Sequence, residues 1–127
     1  MNKNYKRPLI IDGAMGTELM NLGVDLPLPL WSSVANFDEY DKVVDIHKRY
    51  INAGSDIITS NTFRTTARTF KKAGYTDGKA NEISKRCTSE AIKAAKEAIN
   101  NKNVLLAGSI APLEDCDEPD RFPGQIK

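Results

Sequence analysis

The sequence predicts an α/β fold built on a parallel sheet. Short apolar runs begin near positions 9, 57 and 104, each rich in β-branched or aliphatic residues, and helical patterns fill the intervals between them. Strands separated by helices pair in parallel through crossover connections. The three runs then point the same way, and their carboxyl ends share one rim. Each run also passes at once into polar residues: Asp12 after the first, Thr59, Ser60, Asn61 and Thr62 after the second, Ser109 after the third. Ligands of α/β sheets collect at that end of the strands.

Composition narrows the classes. The chain has 127 residues, a formal net charge of +1, 40% hydrophobic residues and 28% charged residues, which fits one globular domain or part of one. Its basic residues are scattered, with only a small cluster at Lys3, Lys6 and Arg7, so the electrostatic footprint of a nucleic-acid or membrane-surface binder is missing. No apolar run reaches the length that spans a bilayer, and no apolar segment follows the basic amino end as it would in a secretory signal. A cytoplasmic location is the default expectation. Cys87 and Cys116 form neither a disulfide framework nor a CxxC spacing.

Taken in order, Leu9-Ile10-Ile11 is expected as a strand buried on both faces, with Asp12 at its end. Gly13 and Gly16 bracket the next turn; the pattern fits a plain Asp-Gly turn or a turn whose N–H groups approach an anion. Thr17 to Leu22 is expected to be helical, with Gly23 as its stop. Pro27 and Pro29 hold the following stretch extended up to Trp31, which can serve as core packing or as a pocket wall. Asp38 is expected to cap a helix running to Ala53, closed by Gly54. Tyr40, Val43, Val44, His47, Tyr50 and Ile51 fall on one face of it. His47, the only histidine, lies on that apolar face and is read as a packed residue.

After the second strand, a short helix over 65–73 ends at Gly74, and Tyr75-Thr76-Asp77-Gly78 is read as a turn. A longer helix is expected from near Asn81 to about Asn100, with an alanine-rich stripe that suits close packing on a sheet. Cys87 belongs to that stripe and is expected as a buried, inert thiol. The third run, Val104 to Ala107, leads into Gly108-Ser109-Ile110-Ala111-Pro112, and the acidic, proline-containing remainder is expected as loop.

The blocks Ile11-Asp12-Gly13-Ala14-Met15-Gly16-Thr17-Glu18-Leu19, Leu30-Trp31-Ser32, His47 to Tyr50, Ala53 to Phe63 and Ala107-Gly108-Ser109-Ile110-Ala111-Pro112 together resemble the homocysteine S-methyltransferase family. The resemblance runs in order over nearly the whole chain. It implies a (β/α)8 barrel, of which residues 1–127 would supply the amino-terminal three β/α units, the carboxyl-terminal part being absent. It implies zinc-dependent methyl transfer to the thiol of homocysteine, giving methionine, with homocysteine and a methyl donor as small-molecule partners. Asp12 would contact the substrate ammonium, and the backbone of Gly13, Ala14 and Met15 its carboxylate. Thr59, Asn61, Thr62 and Ser109 would shape the pocket.

Two departures stand out. Ala111 precedes Pro112 where many members carry glycine, which touches the donor side of the rim. The family's zinc is bound by three cysteines late in the barrel, and nothing here corresponds to them, so neither Cys87 nor Cys116 takes a metal role. A chain with three of eight strands is expected to fold poorly or aggregate alone and to transfer no methyl group. Two other readings are a different barrel enzyme holding a phosphorylated ligand at the glycine-rich turn, and a non-catalytic binding module; the absence of GxxxxGK[ST] and GxGxxG after the first run counts against the phosphate.

Overall fold

A computed structural model describes residues 6–112. In chain order the elements are α1 (Met15–Asn21), a 3-10 turn (Trp31–Val34), α2 (Ala35–Asp38), α3 (Tyr40–Asn52), β1 (Ile57–Thr59), α4 (Ala67–Lys72), α5 (Asp77–Ile99) and β2 (Leu105–Ala107). Cys116 and the expected loop at 113–127 lie outside the described residues.

β1 and β2 pair in parallel with Ile57 opposite Leu105, Ile58 opposite Leu106 and Thr59 opposite Ala107. α4 and α5 form the connection between them, as a parallel pair requires. The ladder is extended at its carboxyl end by the Ser60 N–H donating to the Ala107 carbonyl at 2.9 Å.

The first apolar run does not become a full strand. Ile11 makes one parallel bridge to Ile57. Around it, the Asp12 N–H donates to Ile57 O at 2.9 Å and the Asp56 N–H donates to Ile10 O at 2.8 Å. The expectation of burial on both faces is wrong: Ile10 is 56% and Ile11 60% exposed. Only one side of this segment has a paired neighbour among the described residues, so its other edge and much of its side-chain surface face water. Its amino end is tied down by charge. The Arg7 guanidinium clasps Asp56 with two bonds of 2.8 and 2.7 Å, and the Ile10 N–H donates to the same carboxylate at 2.9 Å.

The core lies where α3 and α5 meet beside Ile58 of β1. Val43, Val44, Ile46 and Ile51 of α3 share one cluster with Ala94, Ala95 and Ala98 of α5. The alanine stripe brings the α5 backbone close to α3, so the close packing expected on a sheet is made chiefly against a helix. Ile46 and Ile58 are fully buried, and burial of one such side chain contributes about 2 kcal/mol.

The stops at Gly54 and Gly74 hold, with φ of 106° and 97° in the left-handed region that favours glycine. Two helix starts differ. Asp38 caps nothing; it ends α2, and Glu39, at φ −135°, separates α2 from α3. Residues 75–78 are not a free turn. Thr76 is the extended residue before α5, and Asp77 and Gly78 already belong to its first turn, where an acidic side chain is favourable against the helix dipole.

Candidate functional site

Asp12 stands where the first run ends beside β1. One carboxylate oxygen, Oδ2, accepts the Thr59 backbone N–H at 2.8 Å, and Oδ1 accepts the Thr59 hydroxyl at 2.9 Å. A carboxylate has about four acceptor positions, so this clamp leaves each oxygen able to accept once more. Thr59 therefore orients Asp12 and leaves it acceptor capacity.

The turn after Asp12 is shaped by two large side chains. A Cβ on Gly13 would lie 2.7 Å from the Tyr50 hydroxyl oxygen, and a Cβ on Gly16 would lie 2.6 Å from the Trp31 indole nitrogen. Neither glycine has a positive φ. Their requirement is space for Tyr50 and Trp31, a different reason from the anion approach that their spacing suggests. The Tyr50 hydroxyl donates to the Ala14 carbonyl at 3.2 Å and so pins the turn to α3.

Asn61 is buried, both donors of its amide are engaged and its oxygen accepts one bond. Its Nδ2 donates to the Ser32 carbonyl at 2.8 Å and to Asn36 Oδ1 at 2.9 Å, while its Oδ1 accepts the Ser32 hydroxyl at 2.7 Å. Thr62 is also occupied: its hydroxyl donates to the Ser109 carbonyl at 2.7 Å and accepts the Ser109 N–H at 3.0 Å. Thr62 is thus a staple between the ends of β1 and β2.

A cleft of about 270 Å³ opens at this rim. Asp12, Gly13, Met15, Thr59, Asn61 and Ser109 line it, as do Gly16, Trp31, Ser32, Ser60 and Phe63. Ala14 and Thr62 do not; Thr62 instead borders a larger apolar hollow beside Ile92 and Leu106, about 460 Å³, which Ser109 also lines. Trp31 takes both roles its sequence allows, packing on the core and walling the cleft. Ser32 and Phe63 were not singled out by sequence. Both lie inside the family-like blocks, Ser32 beside the tryptophan and Phe63 just past a strand end, but without a role assigned to them.

His47 is buried, and neither ring nitrogen has a hydrogen-bond partner among the described residues. Burial lowers its pKa to about 4 against the opposing pull of the Asp12 carboxylate, so the ring is neutral at pH 7. Cys87 is buried too, and burial pushes its thiol up although the Asn36 amide hydrogen bond pulls the other way. It is therefore an inert thiol. Among the described residues no three His, Cys, Asp or Glu side chains group as metal ligands. The described residues therefore do not fit a zinc site. No helix among the described residues is long and apolar enough to cross a membrane.

Known proteins resemble this chain in sequence and in fold. The homocysteine S-methyltransferase family model matches residues 9–125. The homocysteine methyltransferase MmuM from Escherichia coli, in its metallated form, superposes with a TM-score of 0.72 at 26% identity, covering 85% of this chain and 39% of that one. Homocysteine S-methyltransferase 1 of Zea mays is 32% identical over 89 residues, 70% of this chain and 26% of its own length. Selenocysteine Se-methyltransferase of Brassica oleracea var. italica is 29% identical over 113 residues, 80% of this chain and 33% of its own length. The chain thus spans about a quarter to a third of these two curated relatives. With a family model matching almost end to end and a fold shared with a solved member, the chain belongs to the homocysteine S-methyltransferase family.

Proposed function

We propose that the chain provides the first three β/α units of a (β/α)8 barrel and holds the amino-acid end of homocysteine while its thiol accepts a methyl group, giving methionine. The observation that carries this reading is Asp12. Its carboxylate is oriented by Thr59, keeps acceptor capacity, and lines a cleft to which no lysine or arginine among the described residues contributes. That chemistry suits an ammonium group. It opposes a phosphorylated ligand, which would meet an anion with no compensating cation. Gly13 and Met15, on either side of Ala14, line the cleft with Asp12, and in this reading the backbone of that turn takes the opposite end of the zwitterion. In this reading zinc is held by residues outside those described. The exposed Ile10, Ile11 and Ile110 mark the flanks on which further β/α units would pack.

The test uses Trp31, the only tryptophan in the chain, as a reporter in the cleft. Homocysteine is expected to change its fluorescence saturably, and inorganic phosphate is expected to leave it unchanged. Joined to the remaining units of a family barrel and supplied with zinc, the chain is expected to support homocysteine methylation; alone it is not. A saturable response to phosphate without one to homocysteine overturns the reading.

A further inference from the structure

The segment that carries Trp31 into the cleft is held in an unusual way. Trp31 itself has φ 49°, in the left-handed region that a bulky L-residue rarely enters. Such a conformation persists only where the surroundings over-determine it. Its backbone N–H donates to Pro27 O at 2.8 Å. The next residues are fastened from the far side by a buried polar network centred on Asn61. Both N–H bonds of the Asn61 amide and one lone pair of its oxygen go to Ser32 and Asn36. Asn36 returns a bond from its own Nδ2 to the Asn61 carbonyl at 3.0 Å. The same Nδ2 reaches Cys87 Sγ on α5 at 3.4 Å, and the Cys87 thiol donates to Ser33 O at 3.3 Å. Ser32, Ser33, Asn36, Asn61 and Cys87 are all buried.

We propose that Asn61 is a positioning residue, which locks the Trp31–Asn36 segment to the end of β1 through Ser32 and Asn36 and thereby fixes the indole as a wall of the substrate cleft. This deepens the homocysteine reading of the cleft and rests on it for the ligand. Asn61 then contributes to substrate affinity without a side-chain donor left to give the substrate. Its two donors are spent on carbonyl acceptors, one from the Ser32 backbone and one from the Asn36 amide. A buried, fully satisfied network of this kind is rigid and specifies one arrangement. Gly16 completes the seat, because only a residue without Cβ lets the indole nitrogen come so close.

The experiment compares Asn61→Ala with the parent chain by acrylamide quenching of Trp31, far-UV circular dichroism and homocysteine titration. Dilute protein, well below its melting temperature, is used throughout. The expected result is unchanged helical signal, at least a twofold rise in the quenching constant without ligand, and about tenfold weaker homocysteine binding. Equal quenching in the two folded chains overturns the proposal. If Asn61→Ala loses its helical signal, Ser32→Ala decides, since it removes only the hydroxyl bond to Asn61 Oδ1. Raised quenching in that variant supports the lock and parental quenching overturns it. If the parent's Trp31 does not respond to homocysteine, the substrate reading fails, while ligand-free quenching still tests the lock.

Discussion

Asn61 and Asp12 stand at the ends of neighbouring strand segments, and both line the same cleft. They differ in what their hydrogen bonds leave over. Asn61 has spent both amide donors on Ser32 and Asn36, 29 and 25 residues away in sequence. Asp12 has spent one acceptor position on each oxygen, both on Thr59, and keeps the remainder. The first is a fastening and the second is open to a ligand. A polar residue at a strand end is therefore not a binding residue by position alone; saturation decides which it is.

The largest effect that sharpens this contrast belongs to His47. It is buried as deeply as Asn61, yet neither of its nitrogens is partnered. Its folded-state pKa of about 4 lies below the ordinary 6.5 because burial disfavours the charged ring. Between those values the unfolded chain binds a proton that the folded chain refuses. Stability is then full above the unfolded value and falls as pH drops through the window, by about 3 kcal/mol in all. Urea midpoints measured across the window should show this slope, and His47→Leu should flatten it. Asp56 acts lower on the scale: held down chiefly by its hydrogen bonds from Arg7, it adds a further loss only below its ordinary 3.8. A flat parental profile above that point would show the ring is not buried in neutral form.

The second effect belongs to Asp12. Asp12→Asn keeps the shape, removes the charge proposed to face the homocysteine ammonium, and should weaken homocysteine binding about a hundredfold, or roughly 3 kcal/mol. Its melting temperature should change far less than that of Asn61→Ala. The contrast breaks if Asp12→Asn binds homocysteine as the parent does.

How far this was legible in the sequence follows from the range of each interaction. The alanine stripe of α5, the apolar face of α3 and the stops at Gly54 and Gly74 are local patterns, and the structure carries them out. The parallel order of β1 and β2 followed from the helices between them. The place of Asp12 at the end of its run was equally local. What stayed hidden needed partners far along the chain. Nothing near Gly16 says that Trp31 will lie against it, and nothing near Asn61 says that Ser32 and Asn36 will take its donors. The first run misled for a related reason: its aliphatic residues suit a strand buried on both faces, but burial depends on neighbours that residues 6–112 do not provide.

Thr62 gives the smallest effect and the cleanest separation of fastening from binding. Its hydroxyl both donates to the Ser109 carbonyl and accepts the Ser109 N–H, and it is not part of the cleft lining. Thr62→Val keeps the β-branched shape and removes both of these bonds together with the 3.2 Å contact to the Ser60 hydroxyl, which keeps the Ala107 carbonyl as a partner. The Ser109 N–H is only half-buried, so water takes over part of the lost pairing. The net cost should therefore be about 1 kcal/mol, that of an ordinary intramolecular hydrogen bond, seen as a small drop in urea midpoint. Homocysteine affinity should stay within about twofold of the parent, because the Asp12–Thr59 clamp and the Asn61 network are untouched. A larger loss of affinity than of stability would place Thr62 with Asp12, and strand-end saturation would no longer separate the two kinds of residue.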